Sequence, residues 1–149
     1  MSEVKAALLA PVPEEHLLAA LPVEAVQGKV AFGSDAWERL AELQALLAEE
    51  CTEVYIYASI ARVPIRAATW RATFLRYRKA LTNRMHPEGM QFRPATTENE
   101  RWAVYWEVSG LERLSKDERI PMDYFSALGS GKRFQKHFVP RGPTLIERL

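Results

Sequence analysis

The sequence contains only one cysteine, Cys51, among 149 residues. Because one cysteine can form neither an internal disulfide nor a CxxC zinc pair, it predicts a protein of a reducing compartment, the cytoplasm. Long apolar runs are lacking too, since no stretch approaches the roughly 18 apolar residues of a membrane-spanning helix. The short apolar run near the N-terminus is interrupted by prolines and glutamates, unlike a signal peptide. We therefore expect a soluble protein without a membrane partner.

Patterns typical of metal, phosphate-loop and nucleophilic chemistry are lacking as well. The three histidines, His16, His86 and His137, lie in separate segments without metal-site spacing. Residues 129–132, GSGK, lack the earlier glycine and the following Ser or Thr of a phosphate-binding loop. We predict no catalytic centre, no metal and no cofactor, while a pairing of Ser59 with His86 or His137 stays open.

Acidic residues are lacking between Glu53 and Glu88, and a net charge of +1 conceals this segregation. Residues 1–53 carry three Lys/Arg and ten Asp/Glu, a net charge of −7. Residues 54–87 carry seven Lys/Arg and no acid, a net charge of +7. Either the acidic N-terminal part packs beside the basic segment and neutralises it, or the basic segment is a surface for a polyanion.

The first third of the chain predicts helices. Pro13 and the two glutamates after it are typical of a helix start, and Pro22 is predicted to end that helix. The segment "QGKVAFG" is either a short strand or a packed loop. A second helix follows over "SDAWERLAELQALLAEE", where Asp35 and Glu38 predict a capping box. Its apolar stripe, which we expect to face the core, consists of Trp37, Leu40, Leu43 and Leu47.

From residue 53 the sequence has the pattern of β-strands. "EVYIYAS" is apolar almost throughout, as in a strand buried on both faces, whereas "ATWRATFLRYR" and "RWAVYWEVSGLERL" alternate like half-exposed antiparallel strands. In the last of these, Glu107 is either an outward-facing residue or a buried acid paired to an arginine such as Arg71. "IPMDYFSAL" predicts a short helix, and "TLIER" predicts a final strand.

These elements predict an α+β fold with a single domain over residues 1–149. The helical N-terminal part, residues 1–52, is expected to pack on a small, twisted, mostly antiparallel sheet formed by the β-rich residues 53–149. Helices that precede a strand-rich remainder are typical of this class.

Basic and aromatic residues are interleaved along the predicted strands. Guanidinium groups neutralise phosphates, and aromatic rings stack on unpaired bases, so the mixture favours a non-catalytic module that binds RNA or single-stranded DNA. The competing interpretation assigns the rings to the core and the arginines to the solvated reverse of the same strands. The basic residues concerned are Arg62, Arg66, Arg71, Arg76, Arg78, Lys79 and Arg84.

The order of "EVYIYASIARVP", "ATWRATF" and "WAVYWEVSGLERLSKDERIPMDYFSAL" is similar to the layout of PUA-like barrels. Over residues 53–128 the chain resembles the EVE and ASCH groups of that superfamily in hydrophobic layout. The resemblance implies a PUA-like β-barrel that recognises RNA or a modified base in an aromatic pocket. The implied pocket residues are Tyr57, Ser59, Trp70 and Trp102, with phosphate contacts from Arg71 and Arg93.

A different class of function explains the same charges. In a homo-oligomer, the acidic helices of one protomer would contact the basic strands of another, so that the two charged segments neutralise each other between chains. An interaction or structural protein of this kind is therefore the alternative to a nucleic-acid-binding module.

Overall fold

The computed structural model describes residues 6–149, so the first five residues of the predicted helical part lie outside it. Strands and helices alternate in the first half of the chain, and strands separated by irregular segments form the second half. In chain order the elements are β1 (Ala6–Pro13), α1 (Glu14–Gln27), β2 (Val30–Ser34), α2 (Trp37–Leu47), β3 (Thr52–Ile60), β4 (Val63–Pro64), β5 (Ala67–Ala68), β6 (Trp70–Lys79), β7 (Val104–Arg113), β8 (Ile120–Pro121) and β9 (Thr144–Glu147).

The main sheet has the strand order β2-β7-β6-β3-β1-β9, and β4 pairs separately with β3. β1 and β3 are parallel, and the other pairs of this sheet are antiparallel. The predicted α+β class with a mostly antiparallel sheet is therefore confirmed. The sheet is open, however, with β2 and β9 at its ends, so within residues 6–149 it does not form the closed barrel that the resemblance implies.

Both helices pack on one face of this sheet and form the larger core with it. The helical side chains buried there are Leu17, Ala20, Leu40, Leu43 and Leu47. Three of the four residues of the predicted α2 stripe are thus buried, but Trp37 is 54% exposed. None of the helices in the described part of the chain is long and apolar enough to cross a membrane.

The opposite face of the sheet is covered by two irregular segments. The first, which contains Met122 and Phe125, packs on Tyr55 and Tyr57 of β3 in a second apolar core. The other lies between β6 and β7 and places His86 and Arg93 against the ring of Tyr105 on β7. This second segment brings charged side chains into contact with the sheet.

The prediction of β3, β6, β7 and β9 is confirmed, whereas β1 lies in a region predicted to be helical. β1 has the sequence AALLAPVP, whose alanines and leucines favour helices. It is nonetheless a strand because β3 pairs with one side and β9 with the other, and both faces are covered. A strand buried on both faces shows no alternation, so no period-2 signal marked it.

The predicted boundaries of the helices were wrong in two places. Pro22 lies inside α1, which continues to a left-handed C-cap at Gly28. The capping box of α2 does not form, because Asp35 instead accepts hydrogen bonds from the backbone of Ala103 (3.0 Å) and from Arg84 (2.8 Å). The Asp35 carboxylate therefore ties the start of α2 to the segment before β7.

The short helix predicted from "IPMDYFSAL" was also wrong. Residues 120 and 121 form β8, which pairs with β5, and only a single 3₁₀ turn, Met122–Tyr124, follows it. The turn stays short because the next residue, Phe125, is already extended and buries its ring in the second core.

Gly33 on β2 is covered by the indole ring of Trp102, and a Cβ atom at this position would lie only 1.9 Å from Trp102 Cδ1. We predict that Gly33→Ala lowers the free energy of unfolding by about 1–3 kcal/mol, since the ring must move or the strand must shift. Urea unfolding measures this change, and Gly142→Ala is the control because its added Cβ meets no atom within 4 Å. If Gly33→Ala costs as much in a Trp102→Ala background, the clash is not its cause.

Candidate nucleic-acid interface

The arginines of β6, central to the sequence prediction, are bound to carboxylates. The ion pairs are Arg71–Glu112, Arg76–Glu107 and Arg78–Glu88, and beyond β6 Arg84–Asp35. Three of these carboxylates come from residues 88–149 and one comes from the first 53 residues. The acidic N-terminal part thus accounts for little of the neutralisation. Hydrogen bonding to Glu107 raises the pKa of Arg76.

Glu107 is a buried carboxylate, 1% exposed, at the centre of these pairs. It accepts hydrogen bonds from His86 Nε2 (2.8 Å), Arg76 Nε (2.9 Å) and Lys29 Nζ (3.2 Å). Burial alone would raise the pKa of Glu107, but the hydrogen bonds from these donors outweigh burial and hold the pKa at about 2. Of the two interpretations of Glu107, the buried acid is therefore correct, with Arg76 as its arginine in place of Arg71.

His86, Glu88 and Glu107 place their donor atoms within 4.8 Å of one another, as ligands of a metal ion would. These atoms are already engaged, however. His86 Nδ1 accepts the backbone N–H of Glu88 (3.0 Å), so its Nε2 carries the proton donated to Glu107. Lys29 Nζ bridges the two carboxylates at 3.0 and 3.2 Å. We interpret the cluster as an ion-pair network that fixes the segment between β6 and β7 on the sheet.

Cations without a carboxylate partner lie instead in the segment of residues 130–141, which we call the basic segment. No acidic residue occurs between Asp123 and Glu147. The cations of the basic segment, all exposed, are Lys132, Arg133, Lys136 and Arg141. Within residues 6–149, none of them forms an ion pair. The basic segment therefore carries a cluster of four exposed cations that are free to meet a polyanion, whereas Arg71, Arg76 and Arg78 of β6 are held by carboxylates.

Aromatic rings accompany the basic segment. Phe138 is 46% exposed and contacts Phe134 with ring centroids 5.1 Å apart, and nearby in sequence Tyr124 is 61% exposed. His137 lies 3.3 Å, Nδ1 to Nη1, from the exposed Arg66. Arg66 follows β4, so this contact joins the basic segment to the hairpin formed by β3 and β4.

That hairpin turns through Ala61 and Arg62, both of which have positive φ angles, 51° and 67°. A two-residue turn of this form is usually made by Asn-Gly, because a Cβ atom is disfavoured at positive φ. Neither residue here is glycine or asparagine, so the turn is strained. Residues 60–63, which we call the hairpin tip, are all exposed.

A cleft of about 670 Å³ lies beside the hairpin tip. It is situated at the carboxyl ends of the parallel strands β1 and β3, where Pro13 is in register with Ser59. In open sheets with parallel strands this is the usual position of a ligand site. The side chains and backbone that line it come from Pro13, Glu14, Glu15, His16, Leu18, Ser59, Ile60, Ala61, Arg62 and Glu100.

His16 is the buried polar group of the cleft, 8% exposed. Its Nε2 donates to Glu100 over 3.1 Å, and its Nδ1 lies 2.7 Å from the hydroxyl of Thr96. Among the described hydrogen bonds none joins His16 to Ser59 on the opposite wall. The cleft therefore offers groups for recognition rather than an assembled base and nucleophile.

Three predicted site residues donate hydrogen bonds to Glu14 or Glu100, which line the cleft. Trp70 Nε1 donates to Glu14 over 3.2 Å, and Trp102 Nε1 donates to Glu100 over 3.1 Å. Arg93, which is 2% exposed, donates to the backbone carbonyl of Glu100 over 2.9 Å. Burial lowers the pKa of Arg93. Because Trp70 is fully buried, it positions a carboxylate here and presents no open face for stacking.

The other predicted site residues do not converge on one pocket. Ser59 lines the cleft, but Tyr57 is buried on the other side of the sheet and donates its hydroxyl to the carbonyl of Pro140. Arg66 lies beside the basic segment, as described above. Arg71 and Arg76 lie in the ion pairs of β6 and β7.

Reasoning from the sequence missed the acidic side of the cleft. Glu14 had been assigned only to the start of a helix, and His16 and Glu100 are 84 residues apart in sequence. No local pattern joins such residues, because the parallel pairing of β1 and β3 creates the cleft. For the basic segment a signal was present, namely the absence of acids between Asp123 and Glu147.

No protein-family model matches the chain, and no curated protein matches it either.

Proposed function

We propose that the protein binds unpaired nucleic acid, RNA or single-stranded DNA, with phosphates on the basic segment and one base in the cleft. The observation that carries this proposal is that the exposed cations of the basic segment have no carboxylate partner among the described residues. Cations without a fixed partner can replace the counterions of phosphates, and counterion release provides most of the affinity for nucleic acids.

Exposed rings next to these cations support the same function. Tyr124 and Phe138 offer faces on which unpaired bases can stack, and such stacking contributes about 1–3 kcal/mol per base. Because every base has a stacking face, this contribution is tolerant of sequence. The basic segment therefore has both parts of a surface for a flexible strand.

The chemistry of the cleft suits a base and not a phosphate. Glu15 and Glu100 would repel a phosphate, but carboxylate oxygens accept hydrogen bonds from the amino groups of cytosine, adenine and guanine. Ser59 and Arg62 offer a hydroxyl and a cation on the opposite wall. A base that carries an amino group is thus the ligand that these groups fit.

The first test is a titration of a fluorescein-labelled single strand, followed by anisotropy at about 50 and about 200 mM salt. If four phosphates are contacted, the affinity should fall roughly 50-fold between these salt concentrations, since each contact contributes about 0.7 to the slope. Absence of binding at the lower salt concentration, or binding that salt does not change, would contradict the proposal.

The affinities for two homopolymers distinguish the contribution of the cleft from that of the basic segment. Oligo(dC) and oligo(dT) carry the same phosphates, but only cytosine has an amino group for the carboxylates of the cleft. We therefore expect oligo(dC) to bind more tightly, by about 1–3 kcal/mol for one recognised base. Equal affinities would leave the basic segment as a phosphate-binding surface and remove the cleft from the proposed site.

The alternative function, a homo-oligomer, is supported by exposed carboxylates on and after α2. Glu38, Glu42, Glu49 and Glu50 are exposed and complementary in charge to the basic segment. A second copy of the chain could therefore occupy the basic segment in place of a nucleic acid. Measurement of the mass in solution at micromolar concentration distinguishes the two functions, because a strict monomer excludes the oligomer.

A further inference from the structure

We infer that the hairpin tip is a wedge that enters a base step of duplex nucleic acid and turns one base towards the cleft. This inference rests on the function proposed above and extends it from unpaired strands to duplex. It assigns a role to residues that neither the core nor the ion pairs explain.

The hairpin tip presents two aliphatic side chains to solvent. Ile60 and Val63 are paired across the hairpin, and they are 57% and 67% exposed. Single exposed apolar residues are ordinary, but here two of them stand side by side at a turn. Aliphatic side chains of this kind are inserted between base pairs by proteins that bend DNA, where they replace part of the lost base stacking.

Cations that suit the flanking phosphates lie next to this aliphatic pair. Arg62 is part of the turn, and Arg66 lies three residues beyond Val63, or about 10 Å along an extended chain. Arg66 in turn contacts His137 of the basic segment. Positive charge therefore continues from the basic segment to the hairpin tip, and nucleic acid is the partner that this charge fits.

The turn itself keeps the aliphatic pair in place. A two-residue turn is the shortest hairpin connection, and the strands on either side are held in register by the Ser59–Pro64 and Ile60–Val63 pairs. Strain at Ala61 and Arg62 works against stability, and strained residues of this kind occur preferentially at functional sites.

The cleft lies directly against the hairpin tip, because Ile60, Ala61 and Arg62 form one of its walls. A base displaced from a duplex by the tip would therefore meet the cleft without crossing the surface of the protein. On the opposite wall Glu15 and Glu100 could accept hydrogen bonds from its amino group. Such contacts would offset part of the few kcal/mol that unstacking costs.

A duplex with 2-aminopurine at one central position provides the test, since the fluorescence of this base rises when it is unstacked. We expect the wild-type protein to raise the fluorescence at low salt. The variant Val63→Thr changes an exposed side chain that does not line the cleft. It should bind single strands as the wild type does but should raise the fluorescence much less, and its duplex affinity should fall roughly fivefold. The matched control, Val26→Thr, changes an exposed valine elsewhere and should behave like the wild type.

The outcomes distinguish failure of the wedge from failure of the proposed function on which it rests. If the wild type binds single strands but leaves 2-aminopurine stacked, or if Val63→Thr matches the wild type, the wedge is wrong and the proposed function stands. If the wild type binds neither single strand nor duplex at low salt, both are wrong. Loss of single-strand and duplex binding together in Val63→Thr would also overturn the wedge, because the tip would then contact strands in general.

Discussion

The double variant Lys132→Glu, Lys136→Glu should bind single-stranded nucleic acid about 100-fold more weakly than the wild type at low salt. Both side chains are exposed and lack a carboxylate partner among residues 6–149, so each reversal removes a cation available to phosphates and adds a repulsive charge. The slope of log affinity against log salt should become shallower by about 1.4, which corresponds to two lost contacts on a single strand. Anisotropy titrations at several salt concentrations measure both quantities.

The control for this variant has the same change of charge at a different place. Lys79 and Lys116 are exposed at the end of β6 and after β7, so Lys79→Glu with Lys116→Glu should leave the affinity within a few-fold of the wild type. Both variants should retain stability to within about 0.5 kcal/mol, because the substitutions lie on the surface. Equal losses of affinity in the two variants would show that net charge matters and that the basic segment does not.

The largest loss of stability is expected from Glu107→Gln. This change leaves Lys29 and Arg76 beside a buried amide, so that only the exposed carboxylate of Glu88 remains to pair with these two cations. We expect the free energy of unfolding at neutral pH to fall by about 3 kcal/mol, as for other broken buried ion pairs. Glu112→Gln on the same strand is the control, because its pair with Arg71 is exposed and should contribute less than about 1 kcal/mol.

The stabilisation of the fold by Glu107 should depend on pH. Its pKa is about 2 in the folded protein against an ordinary value of 4.5, so the unfolded chain takes up the proton first as the pH falls. The stabilisation is therefore fully present above pH 4.5 and is lost as the pH falls towards 2. The difference in stability between the wild type and Glu107→Gln should shrink over that range, because a protonated glutamate resembles glutamine.

Urea unfolding of both proteins at neutral pH and at several values below 4.5 measures this dependence. A difference that stays constant down to pH 3 would mean that Glu107 stabilises the fold by shape and hydrogen bonding and not by its charge. A negligible difference at neutral pH would mean that His86, Arg76 and Lys29 find other partners when the carboxylate is absent.

The strands that can be predicted from the sequence are those whose two faces differ in polarity. In β6, Trp70, Ala72 and Phe74 face the core while Arg71 and Thr73 face solvent, and this alternation is visible in the sequence. β7 was also found, although Glu107 is buried on its outward face. The alternation predicts which face a residue occupies, but it does not predict whether another segment covers that face.

Where the prediction failed, the decisive contacts are distant in sequence. The residue types of β1 predict a helix, because its pairing with β3 and β9 leaves no signal in the local sequence. Asp35 was read as a helix cap, yet its partners are Arg84 and Ala103. In both cases tertiary contacts override a local preference of about 1 kcal/mol or less per residue.

The charge of the predicted binding surface depends on distant contacts in the same way. The sequence leaves open whether the arginines of β6 are free or neutralised, because their partners Glu107 and Glu112 lie far away in the chain but directly across the β6–β7 ladder. Antiparallel pairing sets opposite charges side by side whenever the register allows. In the described part of the chain the basic segment makes only the isolated Ser126–Arg133 β-bridge and none of its cations has an ion pair, so its run of cations is a better guide to free charge.

The position of β1 between β3 and β9 has a consequence for the order of folding. β1 is synthesised before β9, yet one of its two edges is paired only by residues 144–147 of β9. During synthesis that edge stays open until almost the whole described chain has emerged, and an open apolar strand edge can pair with other chains. Closing so long a loop also slows folding, because its entropic cost precedes the gain from pairing.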